Sequence, residues 1–404
     1  MNAFNSTFSK LNLFRTWSEN KAKFRKSCSG VDKVSGPDFE TNLARSVSQI
    51  QERLDGQFKP KGLLAIAIEK PGKDEKRIIC VPTIADRVIQ LAVLDQLRPR
   101  LARMGVDNNI SYGVARGSEK SVLGARKFAC VERAKKPWVY KTDIRKFFDN
   151  IDRELLVGQL HRAVRQTSLA PAIVPFVHAE LKEGFDPDWK QICSANGIVR
   201  GKGVRQGMPF SPFFAGLFLR DIDREIDAMD VSAARYVDDF VAFFASEREA
   251  LAFHLWLKDR LSQISLEIGE PNAQGSKTQI YEPHEDADFL GLSICRVRGG
   301  KFKLLVSDEV KAKTLDKLAA FSEIEPLLGR GKSLTTMGSY FANVERGYVN
   351  AFAEAQNIDE FKTEIHAQLR EVQKRILIEL FGRRRLRRMA KRHRKFVGID
   401  ELLG

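Results

Sequence analysis

Two adjacent aspartates, Asp238 and Asp239, sit inside an otherwise apolar run from Ala233 to Phe244. Aspartate is disfavoured in strands and its charge is costly to bury, so the pair needs a compensating partner. Taken alone, the run fits an Asp-Asp turn between two strands. It also fits a hairpin whose tip presents carboxylates to a divalent metal, because hard cations take oxygen ligands. A further carboxylate lies upstream: the apolar approach Trp138-Val139-Tyr140 ends in Asp143. A loop rich in Phe and Lys follows, then N-cap residue types from Asp149 to Asp152 ahead of Leu155 and Leu156. Only folding can join Asp143 to the later pair. Joined, the three would form the carboxylate clamp of a two-metal phosphoryl-transfer site.

The elements that must position these residues are partly readable. Leu63 to Ile68 and Arg77 to Val81 read as strands around a Lys-Pro-Gly-Lys-Asp turn, and Asp86 to Leu101 has amphipathic helical character. Gly203 to Pro212 is a Gly/Pro-punctuated turn leading into Phe213 to Leu219. After Gly299-Gly300 the pattern turns helical, with Ile365, Leu369, Val372, Ile376 and Leu380 spaced as one stripe.

Composition narrows the class. With 404 residues, 43% of them hydrophobic, the chain can bury a large core divided into two or three subdomains. No long uncharged apolar run argues for a membrane span, and the start lacks a secretory layout, which points to the cytoplasm. The five cysteines are scattered, without a C-x-x-C pair, and read as reduced thiols. The six histidines show no triad or ligand spacing. A net charge of +15 calls for a polyanionic partner.

In order, Asp143…Phe147-Phe148-Asp149, Gln206-Gly207…Ser211-Pro212 and Tyr236-Val237-Asp238-Asp239 resemble motifs A, B and C of reverse transcriptases. The flanks extend the resemblance over about residues 25 to 350: Gly30-Val31-Asp32, the fingertip-like Lys70-Pro71-Gly72-Lys73 to Pro82, Asp86 to Ala92, Ser111-Tyr112-Gly113, Lys277-Thr278 and the primer-grip-like Phe289-Leu290-Gly291. It implies an α+β right-hand polymerase: fingers and palm built of antiparallel sheet plus helices, followed by an α-helical thumb. The expected divisions are a basic N-terminal extension over 1–39 and fingers and palm over 40–300. Within the latter, fingers occupy about 40–137 and 151–200, palm about 138–150 and 201–300. A helical thumb with a basic tail covers 301–404.

The same resemblance implies the roles. Asp143 and Asp238 would share two Mg²⁺ ions, with Mn²⁺ as a possible substitute. The Ile144 carbonyl would complete one ion, and Asp239 would act as catalytic support or ligand. Phe148, five residues after Asp143, falls at the steric gate against a 2′-hydroxyl. Lys70 and Arg77 would clamp the triphosphate, with Lys73 and Lys76 as competitors of Lys70. Gln206 and Gly207 would let the backbone approach the nucleotide closely, and Lys277 would protonate the leaving pyrophosphate. The tail residues Arg383, Arg384, Arg385, Arg387, Arg388, Lys391 and Arg392 read either as a solvated run or as RNA phosphate contacts. The implied partners are an RNA template, a DNA primer or product, and dNTPs, with no membrane. Oligomeric state is not readable.

Subtype follows by elimination. The retron Asn-Ala-x-x-His element has no counterpart at Leu123 to Phe128, and no H-N-H-like cluster, RNase H or protease region stands out. The expectation is a stand-alone bacterial-type enzyme working with a dedicated non-coding RNA, in antiviral (phage) defence. The rivals are a group II intron-type maturase that assists intron folding and mobility, and an RNA-dependent RNA polymerase.

Overall fold

In a computed structural model of the chain, the described residues are 2–69, 75–114, 119–297, 299–329 and 331–396, without the side chains of 387 and 394–396. Lys70, Lys73 and the turn between them therefore lie outside the described residues. The chain divides into two compact units, one formed by 1–129 with 136–280 and the other by 130–135 with 281–404.

The strands in chain order are β1 (Leu63–Glu69), β2 (Lys76–Val81), β3 (Ser111–Tyr112), β4 (Trp138–Asp143), β5 (Leu181–Gly184), β6 (Ser232–Tyr236), β7 (Asp239–Phe244), β8 (Gln279–Tyr281), β9 (Ala287–Phe289), β10 (Leu292–Arg296) and β11 (Phe302–Leu305). In the first unit β2-β1-β5 form a small sheet in which β1 and β2 make an antiparallel hairpin and β5 runs parallel to β1. A five-stranded sheet, β3-β6-β7-β4-β8, carries both acidic motifs. From Phe240 to Phe244 every residue of β7 is buried, the continuous apolar run of a strand covered on both faces.

Two helices hold that sheet. The helix Ser211–Ala228 starts with Pro212, whose fixed φ suits a first helical turn, and buries Phe213, Phe214, Leu217 and Phe218. The helix Glu247–Ser262 is capped by Ser246, has Glu247 and Glu249 at its positive end, and packs on β4 and β7. Tyr140 meets Phe253 edge-to-face with ring centroids 5.5 Å apart. Sheet plus helices give the α+β arrangement expected from the sequence. No described helix is long and apolar enough to cross a membrane.

Two boundaries differ from the sequence reading. The segment before residue 40 is part of the first unit's core: the helix Lys10–Lys26 buries Leu13, Trp17 and Phe24 and packs on the helix Ile84–Leu97. Trp17 stacks on Phe24 and Phe39 at 5.2 and 4.8 Å. The charges that made this segment look like an extension lie on the outer face of an amphipathic helix. The second boundary comes at 280/281 rather than 300/301, because β9-β10-β11 form their own antiparallel sheet in the second unit. That unit is otherwise helical, with Ile358–Phe381 burying Ile365, Leu369, Val372 and Ile376. Leu380 leaves the stripe at 48% exposure and Leu377 replaces it, since the chain folds back after Gly382 and seats Leu386 against Leu377.

Candidate active site

The pairing of β4, β6 and β7 builds the acidic centre. Asp143 is opposite Asp239, and Tyr236 is opposite Asp239 across the hairpin, so Val237 and Asp238 form a two-residue tip. Val237 has φ 61°, a left-handed conformation that two-residue hairpins favour and β-branched residues resist. Such strain persists only where the surroundings enforce it. Here Arg235 Nη1 donates to the Val237 carbonyl at 2.7 Å, and its Nε donates to Asp223 Oδ1 at 2.7 Å. Both side chains of that ion pair are fully buried. The Ile144 amide donates to the Asp238 carbonyl at 3.3 Å, locking the tip to the end of β4.

Asp143, Ile144 and Asp238 open on one pocket of about 600 Å³ in the first unit, together with Arg77, Gln206 and Lys277. Lys277 Nζ lies 2.6 Å from Asp143 Oδ1. Burial, then the Asp143 charge, pushes the Asp238 carboxyl up to about 6, while Lys277 and Arg77 oppose the shift. Asp239 rises to about 6 as well, through burial first, with Lys141 pulling it down.

Both carboxyls start from an ordinary value of 3.8, so they hold protons more tightly folded than unfolded. Their contribution to stability therefore falls as pH rises from about 4 to about 6 and is level above that. An Asp238→Asn/Asp239→Asn double variant in chelator-containing buffer should gain stability over the native chain across that window. Denaturant unfolding at pH 4, 5, 6 and 7 measures it; a difference that stays flat with pH would refute the expected coupling.

Among the described residues, no group of three or more His, Cys, Asp or Glu side chains is placed to hold a metal ion. What the pocket offers is the Asp143–Asp238 pair, whose mutual repulsion raises Asp238, with the Ile144 backbone beside it. Two crowded carboxylates in a polar pocket fit a hard divalent cation that draws its remaining ligands from substrate oxygens. Asp239 does not line the pocket, and its buried Oδ1 has no hydrogen-bond partner among the described residues.

The loop carrying Gln206 and Gly207 is clasped from two sides. The Gln206 carbonyl accepts from the Cys80 amide of β2 at 2.7 Å. Gly207 has φ +103°, and a Cβ there would sit 2.8 Å from the Cys80 carbonyl and 2.9 Å from Ile79 Cγ2. Its missing side chain allows close packing against β2. On the other side, the Val204 amide donates to the Phe148 carbonyl at 2.7 Å.

That contact bears on the two aromatic rings. Phe147, 1% exposed, lines the pocket. Phe148 is half-buried, is not among the lining residues and packs on the core, with the two ring centroids 5.2 Å apart. The left-handed Lys146 (φ 45°) turns the chain just before both rings.

Arg77 is exposed on β2, and its charge acts on Asp238. The stretch before Lys277, which resembles an insertion in sequence, is closed by Asn272. Its side chain bonds both the amide and the carbonyl of Ile280, at 2.9 and 3.2 Å. Thr278 Oγ1 meets Thr142 Oγ1 at 2.7 Å, so Lys277 stays beside the end of β4. The sequence reading missed Arg145, Lys146 and Asn196, which also line the pocket. Asn196 Oδ1 accepts from the Lys76 amide at 2.6 Å and ties the fingertip hairpin to the helix Trp189–Ala195. Only the basic character of the loop after Asp143 hinted at Arg145 and Lys146.

In the second unit Arg383, Arg384, Arg385 and Arg388 are exposed on the short helix Arg383–Arg388, and Lys391 and Arg392 on Lys391–Phe396. The Arg387 side chain is outside the description.

Comparison with known proteins adds independent findings. The family described as reverse transcriptase (RNA-dependent DNA polymerase) matches residues 68–294. The group II intron-encoded protein LtrA of Lactococcus lactis subsp. cremoris is 26% identical over 177 residues, covering 43% of this chain and 27% of that protein. The same protein from strain MG1363 matches equally. The chain thus aligns to 27% of the length of these curated relatives. Among solved structures, telomerase from Candida albicans with a telomeric RNA fragment aligns at TM-score 0.42 and 13% identity, over 91% of this chain and 68% of that one. Apo telomerase from Candida tropicalis aligns at TM-score 0.42 and 12% identity, over 95% and 70%.

Proposed function

This chain belongs to the reverse transcriptase (RNA-dependent DNA polymerase) family, and we propose that it extends a DNA 3′ end along an RNA template by nucleotidyl transfer from dNTPs. The observation that carries this reading is that Asp143 and Asp238, far apart in sequence, open on one pocket with Arg77 and Lys277. Asp143, Asp238 and the Ile144 carbonyl would hold Mg²⁺, or Mn²⁺ in its place. Such ions, when bound, activate the attacking hydroxyl and neutralise the leaving pyrophosphate. Arg77 binds the triphosphate, and the Lys277 ammonium supplies a proton to the departing pyrophosphate. Asp239 supports the hairpin tip electrostatically from behind. The exposed arginines of the tail contact RNA phosphates, giving a steep salt dependence.

The test is extension of a DNA primer on an RNA template with dNTPs or rNTPs. No synthesis, or a preference for rNTPs, would sink the reading. Sugar selection is assigned to Phe148, the half-buried ring of the pair, whereas Phe147 at 1% exposure belongs to the core. Phe148→Ala should relax discrimination against rNTPs by about 10- to 100-fold, the scale of one lost steric contact. Phe147→Ala should leave discrimination nearly unchanged and lower stability instead. If only the Phe147 variant admits rNTPs, the gate is not Phe148.

For the biological role we favour a dedicated non-coding RNA template and a part in phage defence. A second reading, intron folding and mobility, draws support from the similarity to an intron-encoded protein. Sequencing the RNA and DNA that co-purify with the chain separates them: a single structured RNA with its cDNA supports the first, and intron RNA the second.

A further inference from the structure

We propose that the first unit carries an accessory site for one unstacked nucleotide of single-stranded RNA, separate from the catalytic pocket. The inference rests on the reading of the chain as an RNA-copying enzyme. The site is a groove of about 590 Å³ between the segment 58–62 and the segment 174–182, and it shares no residue with the catalytic pocket. Its volume lies in the range of small-ligand sites.

The floor is apolar. Phe58 is buried against Phe176 with ring centroids 5.5 Å apart, and half-buried Pro60, Val174 and Pro175 line the groove. Lys59, Lys61 and Lys182 are exposed at the rim, as is His178. Lys61 pairs with Asp32 at 3.4 Å, whereas Lys59 and Lys182 enter no ion pair among the described residues. The acidic side chain in the lining, Glu180, is bound by Arg153 at 2.7 Å and Arg205 at 2.9 Å. Its carboxylate therefore does not oppose an anion at the rim.

The rim is also held in place. Arg53 Nη2 donates to the Lys59 carbonyl at 3.2 Å and to buried Asp86 at 2.7 Å. Asp86 Oδ2 accepts the Lys61 amide at 3.0 Å, and the Leu63 amide donates to the Glu180 carbonyl at 3.0 Å. Two lysines without carboxylate partners among the described residues are thus presented from a fixed backbone beside an apolar floor. That chemistry suits a single strand, with phosphates on cations and a base against an apolar surface. A run of acidic side chains would meet the lysines but would leave the apolar floor empty.

The test uses the full chain, a U-rich single-stranded RNA oligonucleotide carrying 4-thiouridine, and the variant Lys59→Ser/Lys182→Ser. The native chain should crosslink through residues 58–62 or 174–182, and the variant should lose those crosslinks. The slope of log affinity against log salt should fall by about 1.4 in magnitude, the share of two phosphate contacts on a single strand. An unchanged slope, or crosslinks confined to other segments, would overturn the proposal. A dimer that forms in the native chain and disappears in the variant would overturn it too, by making a second copy the occupant. Addition of one dNTP at saturating primer–template should be equal in both proteins. If neither adds a nucleotide the polymerase reading fails, while crosslinking and salt slope still decide the groove.

Discussion

Asp238→Ala is expected to slow dNTP addition by about 10³- to 10⁴-fold, or about 4–5.5 kcal/mol of transition-state stabilisation, without unfolding the protein. Asp238 is at the tip of the β6–β7 hairpin, opens on the pocket and is repelled by Asp143. The native fold therefore holds this charge at a cost, and deleting it should leave the melting temperature equal or higher. A structural turn residue would behave in the opposite way, losing stability with little effect on rate. Asp239→Ala should cost about 10- to 100-fold, the scale of a residue that supports a metal ligand rather than serving as one. Single-turnover rates and thermal melts on the same preparations decide the matter. Equal defects in the two variants would remove the distinction drawn between these neighbours.

The second large effect concerns a pair remote from any substrate. Asp223→Ala should destabilise the chain by about 3–5 kcal/mol, because it leaves the Arg235 guanidinium buried without its counter-ion. Arg235 is 0% exposed, bridges two oxygens of Asp223 and donates to the carbonyl of strained Val237. Asn108 Nδ2 adds a bond to Asp223 Oδ2 at 3.0 Å. A second variant separates stability from positioning. Asp223→Leu combined with Arg235→Met replaces the ion pair by apolar groups and should recover most of the lost stability. It cannot restore the donor to Val237, so its polymerisation rate should stay low. Recovery of both properties together would show that the pair acts only as a structural tie.

Much of the site was legible because charge in an apolar setting is conspicuous. Asp143, Asp238 and Asp239 stand at the ends of strongly apolar strands, and two-residue periodicity makes strand ends readable. Arg77 and Lys277 were found through the resemblance to reverse transcriptase motifs. Less legible were residues whose role depends on which way a loop turns. The burial of Phe147 beside half-buried Phe148 follows the turn at left-handed Lys146, a conformation that nothing in its type announces. Gly207 was recognisable as a backbone requirement, while the close approach of β2, where an added Cβ would sit 2.8 Å from the Cys80 carbonyl, is visible only in the fold. Asp223 and Arg235 carry no sequence signal of their ion pair, since pairing across the fold leaves no local pattern.

By itself, then, the sequence determined the kind of chemistry, through carboxylates set in apolar runs and the ordered motifs that resemble reverse transcriptases, together with the strands and helices whose periodicity is local. The tertiary structure alone decided which side chains share the pocket. It also placed the basic N-terminal segment inside a core. Those outcomes depend on strand register and on long-range packing, where a shift of one residue turns a side chain to the opposite face.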